Sequence, residues 1–318
     1  MRKSLLIVLL AGLALFVIGA AVFTAAFAAS GFDTTIFDTV NTVEETFPVT
    51  DTFNSISADV RADIRFKLST DGSCRAEYKG GDIGKRSVSV KDGVLTVEQA
   101  DVHVFASIYT RKSEFVVYLP ATSYTDLTVT ASTGYVTVPE EFSFEHAKVS
   151  SATGSVAFFA DVSGKLEISC STGLATVRGV SAEDLTVEQH TGSVTLQNVH
   201  TSNGIIVKAS TGGILAMDVT AKNVTVTVST GWASLADVVA SDTLSVTTRT
   251  GDITLGRCDG ENVVLNSFTG SIRGSLRTGK NFAAHSSTGS VRVPQSSGEG
   301  TCSAETRYGS INLTVEQS

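Results

Sequence analysis

The sequence predicts an all-β chain: a β-solenoid of about ten rungs of 19–20 residues, behind an N-terminal transmembrane helix. Three observations predict it. A glycine, usually preceded by Thr, recurs as Gly134, Gly154, Gly173, Gly192, Gly212, Gly231, Gly251, Gly270, Gly289 and Gly309, at intervals of 19 or 20 residues. A fixed period of that length marks stacked supersecondary units, each too small to fold alone. Aligned on this glycine, positions −7 (Leu127 to Cys302) and −5 (Val129 to Ala304) are apolar in every repeat, as is +2 (Val136 to Ile311). Finally, no charge interrupts Ser4 to Phe32.

The uncharged run comes first. It is strongly apolar from Leu5 to Ala28, longer than the ~7–15 residues of a secretory signal core and long enough for the ~20 of a membrane span. Residues 1–3 form a cytoplasmic tip, and Arg2 and Lys3 before a span at 4–29 place the chain after it outside. The alternative is signal cleavage after Ala26-Phe27-Ala28, and the remainder is exported either way. Residues 30–52, rich in Thr and Asp with little periodicity, read as a stalk. Within 53–126, alternating stretches such as Val60-Ile64-Phe66 and Phe115-Val117-Leu119 predict strands without the Thr-Gly corner, an altered layer that caps the solenoid's open end.

Residues 127–318 are the repeats. Period-two alternation predicts half-buried strands. Positions −3 and +2 both belong inside yet differ by an odd number, which a straight strand forbids. The chain must turn at the Thr-Gly pair, where glycine allows a backbone that a Cβ penalises. A further apolar position at +7 (Val180, Val199, Val219, Val238, Cys258) gives a short third side. At the inter-strand spacing, ten rungs reach about 48 Å. A hairpin reading is weaker, because hairpin turns favour Asn-Gly or Asp-Gly. Nothing follows the last rung beyond Leu313 to Ser318, so the distal edge is expected to be open and to allow edge-to-edge self-association.

The net charge is −8; removing Arg2 and Lys3 leaves 22 basic against 32 acidic residues, or −10. That excludes a nucleic-acid binder, which needs basic surface for phosphates. Cys170, Cys258 and Cys302 occupy inward phases and are expected to be buried thiols. Cys74 lies outside the array.

The passage Val116-Val117-Tyr118-Leu119-Pro120, leading to Leu127-Thr128-Val129 and the first Thr133-Gly134, together with the apolar N-terminus, resembles the bacterial family of membrane-anchored β-strand-repeat "putative adhesins". The resemblance covers roughly residues 53–318 and is architectural. It implies a bacterial surface protein with an adhesin-like role, or a second role in cell-envelope stress, and it transfers no site residues.

Zinc-protease, P-loop, nucleophile-elbow and dinucleotide patterns are absent, no two of the five histidines share a repeat phase, and no cofactor or metal is implied. A glycan-active enzyme would need paired carboxylates on one rung; the outward −4 column is instead mainly Ser and Thr (Thr130, Ser150, Ser169, Thr227, Thr247). Two surface features stand out. Tyr135 and Trp232 sit in the Ser-rich +1 column, where rings could stack on a sugar or pack on a neighbouring loop. Arg249, Arg273, Arg292 and Arg307 face outward on the last four rungs, with Phe268 in the −2 phase of Arg249 and Arg307. They form a basic strip for an anionic wall polymer, or charge that keeps an edge from aggregating. The expectation is non-catalytic, adhesin-like binding to a cell-wall polymer, glycan or protein partner. An envelope-stress accessory is the alternative and a glycan-active enzyme a remote one.

Overall fold

In the computed structural model, residues 41–82, 84–100 and 112–316 are described, with Gly19 alone before them. The expected membrane segment 4–29 therefore lies outside the described residues, apart from that glycine. Among the described residues no helix is long and apolar enough to cross a membrane. Among the described residues from 41 to 316 the regular structure is all β.

The repeats stack as parallel rungs, like over like. Val129, Val149 and Ile168 pair in one ladder, and so do Val226, Val246 and Leu265 further along. On the second side Val136, Val156 and Ala175 do the same. These inward columns are buried nearly throughout and form one continuous core with the buried +7 residues Val180, Val199, Val219, Val238 and Cys258. The β-branched alternation becomes ladder and core at once, since each inward side chain rests on its equivalents one rung away.

Two corners turn each coil. At the first, the eight glycines from Gly134 to Gly270 hold φ between +110° and +148°. A Cβ on Gly192 would fall onto the carbonyl oxygen of Gly173, and the contact repeats from rung to rung. The corner N–H donates across the stack, Gly154 to the Thr172 carbonyl and Gly212 to that of Thr230, both at 2.9 Å. The −3 residues beneath are small and often polar because corner carbonyls need donors. The Thr248 hydroxyl donates to Gly251 O (2.8 Å), Thr306 to Gly270 O (2.9 Å) and Ser286 to Gly309 O (2.7 Å). The second corner falls at +6, where Gly179, Asn198, Asp218, Asp237 and Arg257 adopt left-handed φ of 50–66°. Gly, Asn and Asp suit that region, whereas Arg does not. Arg257 is held there by its guanidinium, which pairs with Asp237, while Arg277 donates to the Arg257 carbonyl at 2.8 Å.

Both ends depart from sequential stacking. Near the N-terminus, Ser55–Val60 lies between Val94–Ala100 on its outer side and Ser123–Thr133 on its inner side. Asp63–Leu68 is likewise flanked by Glu114–Leu119 and Val136–Val138. Antiparallel strands then cover the outer rung: Lys85–Lys91 on Val94–Ala100, Cys74–Gly81 on Glu114–Leu119, and Thr42–Val49 on Cys74–Gly81. The stalk expected over 30–52 is thus a cap strand in its second half, where Val43, Phe47 and Val49 pack against the core. Interleaved Glu and Thr hide that alternation in the sequence. Residues 30–40 lie outside the described residues.

At the distal end Thr301–Tyr308 pairs with Asn262–Thr269 on one side and Asn281–Ser286 on the other. Ile311–Val315 is similarly inserted between Ile272–Leu276 and Val291–Arg292. The last rung in sequence is therefore the penultimate one in space, and the open edge expected at Leu313 to Ser318 belongs to 281–293 instead. There Val291 is 40% exposed, although every other +2 residue is buried. A connection that skips a rung and returns makes this arrangement, and Lys280 anchors it. Its ammonium meets Asp259 Oδ1 at 2.9 Å while both are largely buried, and Thr278 and the Gly260 N–H also donate to that carboxylate.

Two outcomes follow from this packing. In a T269C/Y308C variant the two cysteines occupy paired positions and should oxidise to a disulfide, whereas T269C/T288C spans two rungs, beyond the ~7 Å limit for a bridge; mapping cross-links by mass spectrometry separates the two orders. The four native cysteines are unbridged and buried, and burial pushes the Cys258 thiol up to about 11 and Cys302 up to about 12. A raised folded value means their contribution to stability is whole below pH 9 and is lost as pH rises through 11. Urea midpoints measured from pH 8 to 11 should fall less steeply for C258V/C302V than for the parent.

Candidate ligand-binding site

The −2 column faces outward and is mostly small: Ser132, Ala152, Ser171, Ser210, Ser229 and Ser287. It changes character at the distal end, where Arg249, Phe268 and Arg307 replace Ser. In sequence order Ser287 would separate Phe268 from Arg307. The inserted rung removes that gap and places the Arg307 guanidinium over the Phe268 ring, 4.8 Å from its centroid. Tyr308 comes with it and meets Phe268 edge to face at 5.9 Å. Phe268 remains 48% exposed and Tyr308 51%.

Arg249, Phe268 and Arg307 border an open groove of about 830 Å³ crossing four rungs, within the ~300–1,000 Å³ typical of ligand sites; Tyr308 stands beside it. Its floor is Thr248, Ser267 and Thr306, buried and committed to the corner carbonyls of Gly251 and Gly270. Along one wall runs the −4 row in spatial order Thr247, Asn266, Glu305, His285. This row supplies hydroxyl, amide, carboxylate and imidazole at one position per rung. The arrangement offers ring faces, hydrogen-bonding groups and positive charge. It contains no paired carboxylates for acid–base chemistry, and among the described residues no cluster of His, Cys, Asp or Glu is arranged to hold a metal.

The cations divide by partner. Arg273 pairs with Asp252 at 3.0 Å, and Arg277 with Asp237 at 3.0 Å. The hydrogen bond from Arg257, followed by that from Arg277, holds the Asp237 carboxyl below its ordinary value. Arg249 has no carboxylate partner among the described residues. The four arginines expected to form one strip lie on two sides of the coil. Arg249 and Arg307 precede the glycine corner. Arg273 and Arg292 follow it and stack through Asn312. The turn at Gly251, Gly270 and Gly309 separates the pairs.

Tyr135 and Trp232 are not part of the groove. The Trp232 ring lies flat against Gly213 one rung back, in space a Cβ there would occupy. Tyr135 sits at the other end of the solenoid, its N–H donating to Asp63 at 2.8 Å and its ring 6.0 Å from the Lys112 ammonium. Sequence reasoning missed Tyr308, and the signal was present: nine of the ten repeats carry Thr at −1, and only this one carries Tyr.

The family pattern described as Toastrack DUF4097 matches residues 53–210 and again 164–318, together spanning the cap from residue 53 onward and every rung. The chain belongs to that family. Among solved structures it is similar to a "putative adhesin" from Parabacteroides distasonis, at 16% identity and a TM-score of 0.49, covering 87% of this chain and 98% of that one. A "putative lipid binding protein" from the same species matches at 12% identity and 0.44, covering 86% and 98%. A "putative adhesin" from Bacteroides fragilis matches at 15% and 0.36, covering 86% and 97%. Likenesses this distant say nothing about a ligand. No curated protein matches the chain.

Proposed function

We propose that this Toastrack chain is a non-catalytic, adhesin-like binding protein of the bacterial cell surface, held to the membrane through residues 4–29 and engaging its ligand at the distal groove. The observation that carries this reading is the Phe268–Arg307–Tyr308 cluster. Two aromatic side chains stand half exposed at positions where most other repeats hold Ser or Thr. Neither fills the core, and exposed apolar surface brings the fold no burial. Rigid aromatic and arginine side chains together are the residues that most often dominate recognition surfaces. The rest of the outer surface is a repetitive Ser/Thr face, suited to spacing the groove away from the membrane by the length of the stack. Envelope-stress sensing would use the same groove with a wall ligand.

The test is co-sedimentation of the full chain, in mild detergent, with isolated bacterial wall and separately with host-matrix glycans. Saturable binding to either, reduced about tenfold or more by F268A/Y308A, is expected. Binding that the double variant leaves intact would place recognition elsewhere on the solenoid and overturn the proposal.

A further inference from the structure

We infer that the groove takes an acidic saccharide, a short pyranose chain bearing one carboxylate, and that Arg249 receives that carboxylate. The inference rests on the groove being the binding site and adds the chemistry of its ligand.

Three observations point to a sugar. Phe268 has one face under Arg307 and about half its surface free, and an exposed ring is a platform for the C–H face of a pyranose. Beside it the row Thr247, Asn266, Glu305, His285 presents polar groups, and all but the acceptor Glu305 are able both to donate and to accept hydrogen bonds, as ring hydroxyls require. That row advances one residue per rung, so its groups stand ~4.8 Å apart, close to the rise of one sugar along an extended chain. A solenoid thereby reads a glycan in step, subsite by subsite.

Charge decides which sugar. Arg249 and Arg307 border the groove without carboxylate partners among the described residues, while Arg257, Arg273 and Arg277 are all paired; the Arg307 guanidinium lies over Phe268, which leaves Arg249 as the fork not stacked on a ring. Its planar fork matches a carboxylate in bidentate geometry, which a compact ammonium does not. Glu305 stands in the same groove two rungs further on. A negative side chain there repels a polymer charged at every unit, and the exported part of the chain is itself at −10. Together they favour a ligand with one acid opposite Arg249 and hydroxyls opposite Glu305, over a densely phosphorylated polymer.

Isothermal titration of the full chain with a xylotriose bearing a single glucuronate and with 3′-sialyllactose, each beside its methyl ester, tests this. The two acids represent wall-type and host-type sources of the same carboxylate. At least one acid should bind, with esterification weakening it about tenfold or more. R249Q should abolish the preference for acid over ester, R249K should restore only part of it, and F268A should weaken acid and ester alike. Acid and ester binding equally well, with F268A still weakening both, would overturn the acidic ligand and leave the groove a sugar site. No binding of any probe would overturn the inference too, while the wall sedimentation still decides the binding reading independently. The side chains changed are exposed, so unaltered thermal unfolding of the variants confirms that the fold is kept.

Discussion

From Gly154 to Gly270, each rung rests on the contact between the bare Cα of its corner glycine and the carbonyl oxygen of the glycine one rung back. That contact sets how closely coils approach at the turn, and the positive φ it requires redirects the chain from the first side to the second. Because the turn occurs there, residues at −3 and +2 both point inward despite their odd separation. The hydroxyls of Thr248, Ser286 and Thr306 at −3 then satisfy corner carbonyls from inside the core. A polar group buried in this way would otherwise cost ~1–3 kcal/mol. Apolar ladders, buried hydroxyls and outward Ser/Thr rows all follow from one residue lacking a side chain.

A stack of identical coils has two ends, and this chain treats them differently. At the N-terminal end antiparallel strands close the sheet. At the distal end the last rung is tucked inside the edge, with the Lys280–Asp259 pair across the junction. Burying the terminal strand protects it from fraying, and the same step assembles the groove, since Phe268 and Arg307 lie 39 residues apart and touch only because the rung between them in sequence has been displaced outward. The edge that remains, 281–293, is covered in part by its own connection, where the Ser297 N–H reaches the Lys280 carbonyl and the Phe282 N–H the Ser296 hydroxyl.

Much of this was legible in the sequence. The glycine period, the apolar columns and the inward phases of Cys170, Cys258 and Cys302 translate directly into rungs, ladders and buried thiols, because in a solenoid local periodicity and tertiary contact are the same thing. The −2 phase shared by Arg249, Phe268 and Arg307 was legible as well. Their adjacency was not, since phase is unchanged whether a rung is added in order or inserted. The arginine strip failed for a related reason: +3 and −2 are both outward, but the corner between them turns them to different sides. The second corner was readable in retrospect, as Gly179, Asn198, Asp218 and Asp237 are the residue types that tolerate left-handed φ; only Arg257 breaks the series. In the cap strand Thr42–Val49, three apolar residues among Glu and Thr gave too weak an alternation to separate a strand from a stalk.

The corner contact is tested most directly by the unfolding free energy of G192A beside G256A. Both glycines lie in the solenoid, but a Cβ at Gly192 meets the Gly173 carbonyl at φ +130°, whereas at Gly256 its nearest neighbours are 3.9 Å away. The account predicts that G192A loses about 3 kcal/mol or more, or fails to fold, while G256A stays within about 1 kcal/mol of the parent. Equal stability of the two variants would contradict it.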